Sequence, residues 1–220
     1  MQELQRNILT HARHIVVEGP IGAGKTSLAM RLAGHLQAAT LLEQPSANPF
    51  LGRFYQDSKR YALQTQLFFL FQRLDQLREL SQPDFFGGGK VVSDWLLEKD
   101  PLFAQMNLAD DEFKLYTQVY RSLAPQAPKP DLVIYLHAQA ATLIARVKKR
   151  GIDAERRMGE GYLGLLAERY AVFFYHYANA PVMIVNSDHF NFAESDEDFS
   201  FLVERLAAMH GPRDFLHREP

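Results

Sequence analysis

The sequence predicts an α/β fold, a three-layer sandwich in which helices cover both faces of a central parallel sheet of about five strands. Three observations predict it. Short apolar runs alternate with helix-period stretches along the chain. Those runs are apolar at successive positions rather than at every second one, as strands buried on both faces are. The first of them, His14-Ile-Val-Val-Glu18, leads directly into Gly19-Pro20-Ile21-Gly22-Ala23-Gly24-Lys25-Thr26, a full match to G-x-x-x-x-G-K-[ST].

Taken in order, residues 14–18 give the first strand and residues 24–37 the helix after the glycine-rich turn. Ala39-Thr-Leu-Leu-Glu43 is a second strand, ended by Gln44-Pro45 because proline disfavours helix in its predecessor. A polar loop and a short helix over residues 49–56 follow. From Lys59 to Leu80, Leu63, Leu67, Leu70, Leu74 and Leu77 recur at spacings of three and four, the period of a long helix. Gly87-Gly88-Gly89 sets a turn before the third strand, Lys90-Val-Val-Ser-Asp94. Residues 95–106 and 110–123 read as helices, and Ala124-Pro-Gln-Ala-Pro-Lys-Pro130 breaks them. Leu132-Val-Ile-Tyr-Leu136 is the fourth strand, with a helix from Gln139 to Arg150 behind it. A charged loop over 150–160, a helix over 161–177, a fifth strand Val182-Met-Ile-Val185 and a helix from Asp196 to His210 complete the expected elements. The tail after Gly211 receives no assignment.

The glycine-rich turn carries chemistry. Gly19, Gly22 and Gly24 allow backbone conformations closed to residues with a Cβ, so that consecutive N–H groups converge on one anion. The following helix points its unsatisfied N–H groups and the positive end of its dipole at the same place. Lys25 brings a mobile charge to β and γ phosphates, and the Thr26 hydroxyl, with Ser27 beside it, is placed to reach Mg²⁺. The expected ligand is a nucleoside triphosphate and the fold is of the P-loop NTPase type.

Composition narrows the alternatives. A chain of 220 residues suits one domain, 1–220, with a substantial core. A net charge of -2 and the lack of a basic run argue against a nucleic-acid polymer as partner. With no cysteine there is neither a disulfide framework nor a thiolate metal site, and the eight histidines include no H-E-x-x-H. No stretch of about 18 apolar residues occurs, so neither a membrane span nor a leader is expected and the cytoplasm is the predicted location.

Ligands in open parallel sheets sit at the carboxyl ends of the strands, which gathers the turn at 19–26, Glu43, Asp94 and the segment after Leu136 along one edge. Glu43 and Asp94 each leave an apolar strand there. An acid so placed either takes a proton from an acceptor hydroxyl or helps to hold Mg²⁺ through water. Arg146-Val-Lys-Lys-Arg-Gly-Ile-Asp-Ala-Glu-Arg-Arg157 is cationic; Lys148 and Lys149 suit a solvated face, whereas Arg146 and Arg150 share one helical face and suit an arginine-bearing lid.

These motifs together resemble the deoxynucleoside kinases, the family of deoxycytidine, deoxyguanosine and deoxyadenosine kinases, from about residue 14 to residue 185. The resemblance rests on the glycine-rich turn, Glu43-Gln-Pro with Asn48-Pro-Phe-Leu-Gly-Arg-Phe-Tyr55, Gln66-x6-Arg73, Asp94-x5-Asp100-x2-Phe103-Ala104, and Pro130-Asp-Leu-Val-Ile-Tyr-Leu before the arginines. It implies transfer of the ATP γ-phosphoryl group to the 5′-hydroxyl of a deoxynucleoside, with Mg²⁺ and a homodimeric assembly. Glu43 would be the general base and Asp94 the acid beside Mg²⁺. Gln66 would make paired hydrogen bonds to the nucleobase, bordered by an Arg73–Asp100 ion pair. Tyr55 and Glu155 would hold the sugar 3′-hydroxyl, and Arg146 and Arg150 would be lid arginines. The resemblance has one departure: the family commonly follows the acid of the third strand with Arg-Ser, whereas this chain has Asp94-Trp95-Leu96. Arg121 or a lid arginine is the expected substitute for that missing charge. A nucleoside monophosphate kinase is the neighbouring reading, and a nucleotide-binding protein with weak or no kinase activity a second; a GTPase-type switch lacks a D-x-x-G directly after a strand and an N-K-x-D for guanine here.

Overall fold

The computed structural model describes residues 7–80, 89–124, 127–152 and 159–218. Its sheet has six strands, β1 (His14–Glu18), β2 (Ala39–Leu41), β3 (Val91–Ser93), β4 (Leu132–His137), β5 (Val182–Asn186) and β6 (Arg213–Leu216), all parallel in the order β2-β3-β1-β4-β5-β6. The sixth strand corrects the expected count of five. It comes from the unassigned tail: Val185 lies opposite Leu216, and Val182 N–H donates to the Pro212 carbonyl at 3.0 Å. An edge strand of four residues needs only one buried side chain, here Leu216, so no apolar run announces it.

The helices are α1 (Ile8–His11), α2 (Lys25–Leu36), α3 (Leu51–Phe54), α4 (Ser58–Leu80), α5 (Asp100–Asn107), α6 (Asp110–Leu123), α7 (Ala140–Arg150), α8 (Glu160–His176) and α9 (Asp196–Ala207). The expected helix over 95–106 divides into a 3-10 turn at Leu97–Lys99 and α5, because Pro101 has the fixed φ suited to a first helical turn and Asp100 enters it as an acid at the dipole's positive end. Ser195 starts α9 by accepting the Asp198 N–H at 3.1 Å, ahead of three acids in the first turn.

Alternation along the strands builds two cores. Ile15 and Val17 pack with Leu28 and Leu32 of α2, Leu143 of α7 and Phe199, Leu202 and Leu206 of α9. Val16, Val133 and Tyr135 face the other way, onto Leu166, Tyr170 and Phe174 of α8. A third cluster joins Leu70, Leu74 and Leu77 of α4 to Trp95 and Tyr116, so that α4 lies along the β2–β3 side. Each such fully buried large side chain stabilises the fold by roughly 1.5–3 kcal/mol relative to exposure. No described helix is long and apolar enough to cross a membrane.

The chain leaves β1 for β2 and β3 on one side and crosses to β4 on the other. The crevice at that reversal opens beyond the carboxyl ends of β1 and β3, where the glycine-rich turn lies.

Candidate active site

Two local constraints shape the turn. A Cβ on Gly19 would stand 2.5 Å from the Leu136 carbonyl, so only glycine lets β1 end this close to β4. Gly24 takes φ 93°, the left-handed region that starts α2. Lys25 folds back over the turn and donates to the carbonyls of Gly19 at 2.8 Å and Pro20 at 3.2 Å. The Pro20 carbonyl also accepts the Ala23 N–H, while Ile21 packs against the α8-side core.

From the cradle a continuous network runs toward α4. The Thr26 hydroxyl donates to Asp94 Oδ2 at 2.5 Å, and Asp94 Oδ1 accepts the Glu43 backbone N–H at 2.7 Å. The Glu43 carboxylate is ion-paired with Arg73, whose other terminal nitrogen meets Asp100 Oδ2 at 2.9 Å. Gln66 donates to the Asp100 carboxylate and, at 3.2 Å, to its backbone carbonyl. Gln66 and Arg73 are seven residues apart, two turns along the buried face of α4, and therefore point the same way. Asn48 ties the loop after β2 to this helix by donating to the Thr65 carbonyl at 3.1 Å.

The electrostatics follow from burial and pairing. Burial pushes the Glu43 carboxyl up, but the charges of Arg73, Lys99 and Lys25 outweigh it and hold the group down at about 2. Asp100, fully buried, is raised by burial against the pull of Arg73. Arg73 itself is stabilised as a cation, its burial outweighed by the two carboxylates. Lys25 is lowered, first by burial and then by repulsion from Lys99.

Beside the cradle lies a cleft of about 740 Å³ lined by Gly22, Gly24, Ser27, Arg146, Arg150 and the loop after β5. Arg146 is half-buried there and donates to the Ser187 carbonyl at 2.7 Å and the Phe190 carbonyl at 3.5 Å. Burial lowers its pKa, opposed by Asp188.

The structure thus brings together Lys25, Thr26, Glu43, Gln66, Arg73, Asp94 and Asp100, and sets Arg146 and Arg150 along the adjoining cleft. Tyr55 is half-buried at the end of α3, which packs on α4. Glu155 lies outside the described residues, with most of the lid expected over 150–160. Trp95 turns into the core, 1% exposed, and its indole N–H has no hydrogen-bond partner among the described residues. Arg121 is exposed on α6; the cations buried around Glu43 are Arg73 and Lys99.

Three site residues escaped the sequence. Glu18 accepts the Gly19 N–H at 2.8 Å, the Leu96 N–H at 2.7 Å and the Tyr170 hydroxyl at 3.1 Å, and faces Lys99 at 3.3 Å. The rule that singled out Glu43 and Asp94, an acid leaving a strand, applies equally to Glu18. Nothing in spacing or pattern marks Lys99 or Tyr170.

Comparison with known proteins agrees with this geometry. Residues 15–209 match the family described as deoxynucleoside kinase. A deoxyguanosine kinase of Bacillus subtilis (strain 168) is 34% identical over 201 residues, 90% of this chain and 95% of that protein. A deoxyadenosine kinase of Lactobacillus acidophilus is also 34% identical, over 81% of this chain and 87% of its own length. A deoxyadenosine kinase from M. mycoides solved with bound dATP superposes with a TM-score of 0.77 at 24% identity, over 88% of this chain and 98% of that one, and shares the fold. Match, identity and coverage together make the chain a member of the deoxynucleoside kinase family.

Proposed function

We propose that the chain transfers the γ-phosphoryl group of ATP to the 5′-hydroxyl of a deoxynucleoside, giving the 5′-monophosphate. One observation carries this reading: a single chain of contacts runs from Thr26 at the phosphate cradle through Asp94, Glu43, Arg73 and Asp100 to the Gln66 amide. Phosphate binding, a carboxylate and a donor–acceptor amide thereby share one crevice, as an in-line transfer to an oriented alcohol requires. The relatives named for deoxyguanosine and deoxyadenosine support the acceptor class.

In this reading Lys25 exchanges the Gly19 and Pro20 carbonyls for phosphate oxygens. Glu43, ionised at neutral pH, accepts the 5′-hydroxyl proton late, since the phosphoryl group is already largely detached in a loose transition state. Gln66, once it exchanges an Asp100 acceptor for the nucleobase, offers that base a donor and an acceptor together. Tyr55 and Glu155 hold the sugar, and Arg146 and Arg150 face the transferring group from the donor side.

The Thr26 hydroxyl and Asp94 carboxylate are hard oxygen donors at the cradle, which suits Mg²⁺ held by one or two protein groups, substrate phosphates and water. Among the described residues no cluster of three or more acidic or histidine groups competes for the ion. When bound, Mg²⁺ neutralises charge on the β and γ oxygens. A homodimer using the α4 face around Phe71, which is 47% exposed, and a cytoplasmic location belong to the same proposal.

The test is Glu43→Gln, which should lower kcat by about 10²–10⁴ while nucleoside KM changes little. Unchanged turnover would remove Glu43 from the mechanism. Assaying nucleosides beside their monophosphates separates this reading from a monophosphate kinase.

A further inference from the structure

Arg73 and Lys99 are the only cationic side chains fully buried among the described residues, and both lie in the crevice. Arg73 is matched by two carboxylates. Lys99 is not so well served. Among the described residues its carboxylate contacts are to Glu18 alone, 3.3 Å and 3.4 Å from the two oxygens. A charge-assisted N–H···O contact normally lies at about 2.7–2.9 Å.

The reason for the long contacts is visible. Glu18 already accepts three shorter bonds, from Gly19, Leu96 and Tyr170, and a carboxylate has about four lone-pair sites. The Phe103 ring, 5.4 Å from the ammonium, adds a weak attraction. Burying a cation costs several kcal/mol unless its partners are excellent, so a pairing this loose is poor as a stabilising device. Its charge bears on the site instead. Lys99 interacts electrostatically with Lys25, Glu43 and Asp100, which lie at the phosphate, base and nucleobase ends of the crevice.

The charge balance gives this weight. Glu18, Glu43, Asp94 and Asp100 stand against Lys25, Arg73 and Lys99, already one negative charge in excess before a triphosphate arrives. Trp95, turned into the core, contributes no cation at the position after Asp94.

Resting on the phosphoryl-transfer reading above, we propose that Lys99 is a positioning residue for that step: Glu18 anchors its ammonium without neutralising it fully, and the remaining charge sets the Glu43 carboxylate and lowers the barrier to bringing the phosphoryl group past four acids. The competing role is purely structural, with Lys99 serving Glu18 and through it the Gly19 end of the cradle. The two differ in what they move. Loosening Gly19 weakens nucleotide binding; removing a charge from the transfer step lowers kcat at constant nucleotide affinity.

The experiment is Lys99→Met in the full chain, with kcat for deoxynucleoside phosphorylation and the Kd of ATP measured side by side. We expect kcat to fall about 100-fold, the scale for removing one preorganised electrostatic group, with the Kd of ATP within threefold of the parent. Turnover within threefold of the parent, or a loss in kcat only in proportion to weakened ATP binding, would overturn the proposal. Should Lys99→Met fail to fold, Lys99→Arg keeps the charge and must retain kcat within tenfold; a folded Lys99→Arg that loses a hundredfold overturns it as well. A parent with no turnover on any deoxynucleoside defeats the functional reading and this proposal with it, whereas an active parent and an equally active Lys99→Met defeat this proposal alone.

Discussion

Removing the Arg73 guanidinium should move the acidic limb of the pH–rate profile upward by about 2 units or more, the scale of the shift that holds Glu43 at about 2 against an ordinary 4.5. Burial alone would carry the carboxyl above its ordinary value, and Arg73 contributes the largest opposing charge together with a hydrogen bond. The Glu43 side chain is 21% exposed, so solvent screens little of this. A depression from 4.5 to about 2 corresponds to roughly 3 kcal/mol. Because the folded value lies below the unfolded one, that stability is present above about pH 4.5 and is lost as the pH falls toward 2. Arg73→Met alone would strand Asp100 as a buried, unpaired acid, at a cost of about 3–5 kcal/mol. The informative protein is therefore the double variant Arg73→Met with Asp100→Asn. Its kcat/KM, which reports the free enzyme, should fall below an apparent pKa between roughly 4.5 and 6, whereas the parent stays flat down to about pH 4. A folded double variant with measurable activity and no acidic limb above about pH 4 would refute the assignment of Glu43 as the base governed by Arg73.

Two further outcomes follow from the same geometry. Gln66→Ala should raise the KM for deoxynucleosides by at least tenfold, about 1.4 kcal/mol, and leave ATP affinity unchanged; initial rates with each substrate varied in turn check it, and equal KM values would dismiss the amide as the nucleobase contact. Leu216→Ala should destabilise the fold by about 2–4 kcal/mol, read by denaturant unfolding, because the side chain is 3% exposed in the core beneath β6. A change under about 0.5 kcal/mol would mean that β6 contributes little to the packed sheet.

How much of this was legible before coordinates differs from element to element. β1, β4 and the cradle are, because an apolar run next to a glycine pattern leaves one local solution. α4 is legible from its leucine spacing, yet that spacing cannot say that Gln66 and Arg73 occupy the buried face among those leucines. The break at Leu97–Lys99 was available from Pro101, whose preference for a first helical turn was outweighed by the apolar content around it. β6 is illegible because an edge strand with a single buried residue has no period to detect. The pairing of Arg73 with Glu43, 30 positions apart, arises only when α4 packs beside β2, and that of Lys99 with Glu18, 81 apart, only when β3 is laid beside β1. Local pattern carries no information about such contacts.

Trp95 is the sole tryptophan of the chain, shielded in the core yet one peptide bond from Asp94. The protein consequently carries its own fluorophore at the end of β3, with no second indole to blur the signal. Its emission should lie at the blue end of the range and shift as the neighbouring acid takes up ligand, giving a label-free titration of occupancy.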